Sequence, residues 1–375
     1  MRIGVPKEIK THEYRVGLTP AAVRELTRHG HAVMVQTGAG SGIGCPDQAY
    51  VEAGAVITGD APELFAQCGL IVKVKEPQPS EFGLLREGQV LFTYLHLAPD
   101  PAQTRALLDG KVTAIAYETV TDAKGGLPLL APMSEVAGRM SIQVGAHCLE
   151  KEQGGAGVLL AGVPGTRPGH VTVLGGGVVG TNAARMAVGL GARVTVIDKS
   201  LPRLTQLDEM FAGRIETAYA TLDAIEAAVA DADLVVGAVL IPGAAAPKLV
   251  SRAMVATMRP GSVLVDVAID QGGCFETSRP TSHAAPTFVE EGCVHYCVTN
   301  MPGAVARTSA LALGHATLPF VVALADKGPA RALAEDPHLL AGLNAFDGTI
   351  THRAVAIALG MAYEDAQSCL ERFRS

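Results

Sequence analysis

The sequence predicts an α/β protein built from two doubly wound open parallel sheets in tandem, joined by long helices. Three features predict it. Short apolar runs alternate with amphipathic segments through the first third of the chain. A second series of such runs starts near residue 171. Between the two lies a long stretch whose apolar residues recur every four positions, with no strand signal.

In chain order, RIGV near residue 3, AVMVQ (32–36), LIVKV just before Lys75, VLFTYL (90–95) and TAIAYE (113–118) read as the first strands. A helix opens after Thr19 as N-cap, with Pro20 at its first position, Val23 and Leu26 on one face and Gly30 as its stop. Another runs from Pro101 to a stop at Gly110. Over residues 134–155, Ser134 is the expected N-cap with Glu135 behind it. Val136, Met140, Val144 and Cys148 form one stripe, and Gly154 and Gly155 end the helix. The second strand series is VTVLG (171–175), RVTVID (193–198), DLVVGAV (233–239) and SVLVDVAI (262–269). After residue 302 strand signals fade. Thr308 to Lys327 reads as one apolar helix that Pro319 should start, break or kink. Shorter helices follow, too few for a domain of their own, so the tail should pack back onto one of the sheets.

Composition narrows the function. Hydrophobic residues are 48% and charged residues 18%, which excludes long disorder. A net charge of −7 without a Lys/Arg cluster argues against nucleic acid as a partner. There is no uninterrupted apolar stretch of about 18 residues, so no membrane span is expected. The opening MRIGVPKEIK lacks the apolar core of a signal peptide and reads as a strand, pointing to a cytoplasmic protein. Cys293 and Cys297 flank His295, but no second ligand pair has zinc-type spacing, and buried reduced thiols are the plainer reading of the seven cysteines.

The strongest motif is VTVLGGGVVGTNAARMA, in which Gly175, Gly177 and Gly180 are spaced G-x-G-x-x-G between an apolar strand and a helix. Gly175 permits the tight turn, Gly177 lets backbone approach a pyrophosphate, and Gly180 allows close helix–strand packing. The helix N-terminus then offers amide donors to phosphate. Asp198 ends the next strand, where a carboxylate accepts from an adenosine ribose and repels the 2′-phosphate of NADP. NAD is therefore the expected cofactor, with Lys199 and Arg203 nearby leaving room for some dual use.

Lys75 and His96 stand at the carboxyl ends of expected parallel strands, and Arg15 lies in the loop after the first strand. Ligands of open α/β sheets bind outside those ends, so the three should converge. Asp270 closes SVLVDVAID in the nucleotide half and should face the same cleft from its other wall. A guanidinium suits a carboxylate, an ammonium a carbonyl, and an imidazole proton transfer near neutral pH. Each taken alone reads equally as a surface charge or a capped side chain. Spacing leaves the substrate unnamed: a small 2-oxo or amino acid, a nucleotide-binding subunit that hands hydride to a partner, and an NAD-sensing module all remain open.

KEIKTHEYRVGLTP, VKEP, LFTYLHLA, AYETV, LPLLAPMSEVAG and VDVAIDQGGCFETSRPT together resemble the L-alanine dehydrogenase family, from residue 1 to about residue 320. That family shares its fold with the nucleotide-binding portion of proton-translocating transhydrogenases. The resemblance implies oxidation of L-alanine by NAD to pyruvate and ammonium, and the reverse, by a homo-oligomer, usually a hexamer. It implies a substrate-binding, catalytic domain of residues 1–133 plus 306–375 and a Rossmann-like NAD domain of 134–305. By it, Arg15 and Lys75 bind pyruvate, and His96 and Asp270 transfer protons. The NAD site is lined by Ser134, Gly177, Val178, Val179, Gly180, Asp198, Arg203, Val239, Leu240, Val267, Ala268, Ile269, Asp270, Arg279, Val298, Thr299, Asn300 and Met301. Some members carry a Glu and a His as a metal pair on the helix near residue 325. Here Ala323 and Lys327 stand at the matching positions, so no divalent-metal site is expected. A serine often found near the adenosine is replaced by Ala220, which should weaken NAD binding slightly.

Overall fold

A computed structural model describes residues 1–239, 246–370 and 372. Fifteen strands fall into two sheets, β1 Arg2–Val5, β2 Ala32–Gln36, β3 Val56–Thr58, β4 Leu70–Val72, β5 Val90–Thr93, β6 Thr113–Ala116, β7 His170–Leu174, β8 Arg193–Asp198, β9 Glu216–Tyr219, β10 Leu234–Gly237, β11 Val263–Asp266, β12 Thr287–Glu290, β13 Cys293–Tyr296, β14 Leu343–Phe346 and β15 Thr349–Ile350. The chain forms two compact units, Met1–Met133 with Val305–Ser375, and Ser134–Ala304.

The first sheet runs β15-β14-β6-β5-β4-β1-β2-β3 and the second β12-β13-β11-β10-β7-β8-β9. Strands β1 to β6 pair parallel, and so do β7 to β11 and β13. Both parallel portions therefore wind out from their first strand in one direction and then the other. The reversal falls between β1 and β4 in one unit and between β7 and β10 in the other. Ligands bind at such a reversal, beyond the carboxyl ends of the strands.

Both sheets are parallel-dominated, as expected, with an addition at one edge. Each sheet carries an antiparallel edge, β14–β15 on β6 and β12 on β13. The chain after residue 302 thus does contain strands. Asp347 and Gly348 join β14 to β15, both with positive φ (45° and 79°), the backbone that a two-residue hairpin turn requires. This hairpin docks the tail on the first sheet, and Ala345, Ile350 and Val355 share its core with Leu64, Ile71 and Leu91.

The helix Pro20–Arg28 begins as expected, with the Thr19 side chain accepting from the Ala22 amide. The helix expected to start at Ser134 instead spans Ala131–Cys148. Pro132 fits within a first turn, where its missing N–H is not needed, so the helix starts a turn early and Ser134 lies inside it. It also stops at Cys148. A short 3₁₀ turn, Lys151–Gln153, follows, and Gly154 closes that turn in the left-handed conformation. Ala306–Lys327 continues unbroken through Pro319. With its leading turn it is long and apolar enough to cross a membrane by length and composition, an 18-residue window within it having a mean hydropathy of 1.6. Its average passes where an uninterrupted-run criterion does not, because Arg307, His315 and Asp326 interrupt it. The helix packs against Pro20–Arg28 and against the following helix, Pro329–Glu335, with Ser309, Leu313, Thr317 and Val321 buried.

Candidate active site and nucleotide site

In the first unit the loops after β1, β4, β5 and β6 carry Arg15, Lys75, His96 and Glu118 to one edge of the sheet. Arg15 is buried, 2% exposed, with Nε and Nη2 donating to the two carboxylate oxygens of Glu13 at 2.7 and 2.6 Å and Nη1 facing the Met133 sulfur at 3.0 Å. Burial works against the guanidinium charge, but the hydrogen bonds that Arg15 donates to Glu13, and the charge of Glu13, outweigh it, and the group is held charged.

Lys75 lies three residues beyond β4, which ends at Val72 rather than running through LIVKV. Its ammonium makes no hydrogen bond or ion pair among the described residues. Burial first, and the neighbouring Arg15 charge second, lower its pKa. Beneath it Lys73 is fully buried between Glu8 and Glu81, at 3.3 and 2.8 Å. Glu8 also accepts from the amides of Val74 (2.6 Å) and Lys75 (3.3 Å), fixing the backbone on which Lys75 sits.

His96 is half exposed (side chain 49%) and has φ +48°. A left-handed residue other than glycine costs about 1–2 kcal/mol and is found where surrounding structure holds it in place. Here the amides of Leu95 and His96 both donate to Glu118, the latter at 2.6 Å. The imidazole stacks on Tyr94 with ring centroids 5.9 Å apart and planes within 8°. Tyr94 in turn donates its hydroxyl to the Leu129 carbonyl at 2.5 Å, and its ring lies in the electrostatic reach of Arg15. His96 thus stacks on Tyr94, and Arg15 lies within electrostatic reach of both Tyr94 and Lys75 in the same unit.

In the second unit the glycine turn follows β7. Gly175 has φ +99°, and a Cβ there would lie 2.8 Å from the Ala238 carbonyl, against Val239. A Cβ on Gly180 would sit 1.8 Å from the Gly175 carbonyl oxygen, so the helix Val178–Gly189 rests directly on the turn. A Cβ on Gly177 would meet nothing within 4 Å. Packing thus explains two of the three glycines, and Gly177 opens onto the space that a pyrophosphate fills in such motifs. This geometry fits a dinucleotide.

Asp198 ends β8 and accepts from the amides of Gly176 (2.7 Å) and Ser200 (2.8 Å). Arg203 clasps the turn itself, donating to the Gly176 carbonyl and the Thr181 hydroxyl, each at 2.6 Å. The Ala220 amide donates to the Asp198 carbonyl. Val239 follows β10, Val267 to Ile269 follow β11, and Val298 to Met301 follow β13, so these positions share the carboxyl edge with the glycine turn. Asn300 has φ +60°. Leu240 lies outside the described residues. Ser134 stands one turn before Gly138, whose Cβ would lie 2.2 Å from the Val179 carbonyl, so its helix passes against the turn. Arg279 is exposed, with its guanidinium 4.3 Å over the Phe288 ring.

Strand β11 stops at Asp266, four residues short of Asp270, which is exposed in a 3₁₀ turn, Ile269–Gln271. The buried Asp266 accepts from the amides of Ala268, Cys274 and Phe275 and from the Ser278 hydroxyl, and so shapes the loop that carries Asp270. His295 is a core residue. Its two ring nitrogens meet the Thr277 hydroxyl (2.7 Å) and the Cys293 carbonyl (3.1 Å). Lys327 pairs with Glu335 at 2.7 Å.

The supporting carboxylates Glu8, Glu13, Glu118 and Asp266 are absent from the sequence reading. Glu8, Glu118 and Asp266 meet backbone amides or side chains far along the chain, which no spacing rule exposes, whereas Glu13 lies two residues from the Arg15 it holds. Gly138 did carry a signal, as a helix-interior glycine costs about 1 kcal/mol against alanine and asks for a packing reason.

A family model described as alanine dehydrogenase/PNT, N-terminal domain, matches residues 4–137, and its C-terminal counterpart matches residues 141–353. The chain belongs to the alanine dehydrogenase/PNT family. An alanine dehydrogenase of Halomonas elongata is 63% identical over 99% of this chain and 100% of its own length. One from Methanococcus maripaludis is 56% identical over the same shares. A solved structure titled L-alanine dehydrogenase superposes with a TM-score of 0.94 at 53% identity, covering 96% of this chain and 99% of the other. Membership in the family thus covers both units.

Proposed function

We propose that this protein interconverts L-alanine with pyruvate and ammonium, using NAD. The observation that carries the reading is the gathering of Arg15, Lys75, Tyr94 and His96 on loops at the carboxyl edge of the first sheet, in a chain that also holds a glycine turn suited to a dinucleotide. NAD, when bound, would supply the hydride acceptor for oxidation at the alanine Cα, and hydrolysis of the resulting imine would give pyruvate and ammonium.

The chain's own residues do the rest. Arg15 binds the substrate carboxylate, its plane already aimed by Glu13. Lys75 faces the carbonyl oxygen and stabilises negative charge on it as water or ammonia adds. The Nδ1 of His96 faces Glu118, so Nε2 exchanges the proton with the substrate. Asp270 orients the water or ammonia. Ser134, Val239, Val267 to Asp270, Arg279 and Val298 to Met301 line the nucleotide, with Asp198 on the adenosine ribose. Residues 1–133 with the tail act as the substrate domain and 134–305 as the NAD domain. The protein works in the cytoplasm as a homo-oligomer, in the hexameric form usual in the family.

Absorbance at 340 nm tests the proposal. Alanine and NAD should generate NADH, and pyruvate, ammonium and NADH should consume it faster than glyoxylate or 2-oxobutyrate do. Turnover of neither alanine nor pyruvate would refute it. Sedimentation gives the assembly.

A further inference from the structure

We propose that Glu118 is a positioning residue for His96, holding the imidazole where it can exchange a proton. This rests on the reading of His96 as the proton-transferring group. Three observations meet on this carboxylate. It is largely covered, its side chain 13% exposed, in the 3₁₀ turn Tyr117–Thr119 after β6. Both oxygens accept from the Leu95 amide at 3.2 Å, and Oε1 also accepts from the His96 amide at 2.6 Å. The same Oε1 lies 3.9 Å from Nδ1 of the His96 ring.

The two consecutive amides lie just beyond the end of β5 at Thr93, where the strand pairing has stopped. A carboxylate spanning both supplies what the sheet no longer can. A conformation that no side chain but glycine favours is thereby fixed at a residue whose ring must be aimed. Tyr94 sets the plane of the ring by stacking, and Glu118 sets the backbone and the Nδ1 side. The turn bearing Glu118 is itself tied down, since Asn344 of β14 donates to the Thr119 hydroxyl at 2.7 Å. His352, from the tail, also lies within the electrostatic reach of Glu118. The tail hairpin therefore supports the carboxylate, and the carboxylate supports the imidazole.

The test is a double-mutant cycle on the full chain with Glu118→Ala, Glu118→Gln, His96→Ala and the Glu118→Ala/His96→Ala double variant. It is read as kcat and KM in reductive amination, with NADH binding by fluorescence and Tm alongside. Glu118→Ala should lower kcat on the order of 10- to 100-fold, the scale of a misplaced reacting group. The KM and Kd for NADH should stay within about twofold. Glu118→Gln, which keeps an acceptor for the His96 amide, should recover most of the loss. The double variant should be no slower than His96→Ala alone, because a residue that acts only through His96 has nothing left to position. An undiminished loss on the His96→Ala background would overturn the proposal, as would a slow His96→Ala enzyme beside a Glu118→Ala enzyme of normal kcat. Normal turnover in His96→Ala would instead sink the reading of His96 on which the proposal rests. If Glu118→Ala fails to fold, the same cycle run with Glu118→Gln decides, with partial loss expected on the wild-type background and none on His96→Ala.

Discussion

The two units wind their parallel strands in the same order, yet they hold their site residues by different means. In the first unit, charged side chains are anchored by other charged side chains. Glu13 grips Arg15, Glu8 and Glu81 enclose Lys73 beneath Lys75, and Glu118 holds the backbone of His96. In the second, the site is made of backbone, with a turn too tight for a Cβ at Gly180 and open space at Gly177. A small substrate with a carboxylate and a carbonyl must be fixed by a few strong, oriented charges. A dinucleotide offers a long surface, and a helix N-terminus with a close-approaching backbone suffices to grip its phosphates.

That difference predicts where substitutions bite. The largest effect belongs to the chemistry of the first unit. His96→Ala should cost on the order of 10²–10⁴ in turnover with the fold intact by circular dichroism. Next comes its anchoring. Glu13→Ala strips a buried guanidinium of its carboxylate and should destabilise the protein by about 3–5 kcal/mol in denaturant melts. In the second unit two glycine replacements should diverge. Gly180→Ala forces a methyl into the Gly175 carbonyl and should lower Tm sharply, whereas Gly177→Ala should leave Tm nearly unchanged and weaken NADH binding in a fluorescence titration. Equal Tm losses would mean that Gly177 is structural too, erasing the contrast. The smallest effect is expected at Asp198. Its replacement by Ala should raise activity with NADP relative to NAD, read from kcat/KM with each.

The same contrast decides what could be read from the sequence. Backbone devices leave a spacing behind, so the glycine turn, the Thr19 cap and the strand ending in Asp198 are all visible in one dimension. Side-chain anchors leave none. Glu13 lies two residues from Arg15 and could be suspected, but Glu118 is 22 residues from His96, joined to it only by the sheet. The first sheet's last hairpin escaped for another reason. LNAF and TI are too short for an alternating pattern to register, although the Asp347–Gly348 turn between them was a usable sign. Strands β3 and β9 escaped because they sit at sheet edges, where exposed positions leave no long apolar run. At Ser134 a good N-cap residue misled, because the preceding Ala-Pro could already begin a helix. At Asp266 and Asp270 two carboxylates four positions apart competed for one strand end. The buried one ends the strand, and the exposed one lies beyond it in the 3₁₀ turn.

Whether the cations of the first unit bind a 2-oxo acid is read from Arg15→Lys. Lysine keeps the charge but replaces a planar fork with a point, so KM for pyruvate should rise about tenfold or more while KM for NADH stays put. An unchanged KM for pyruvate in that variant would contradict the account.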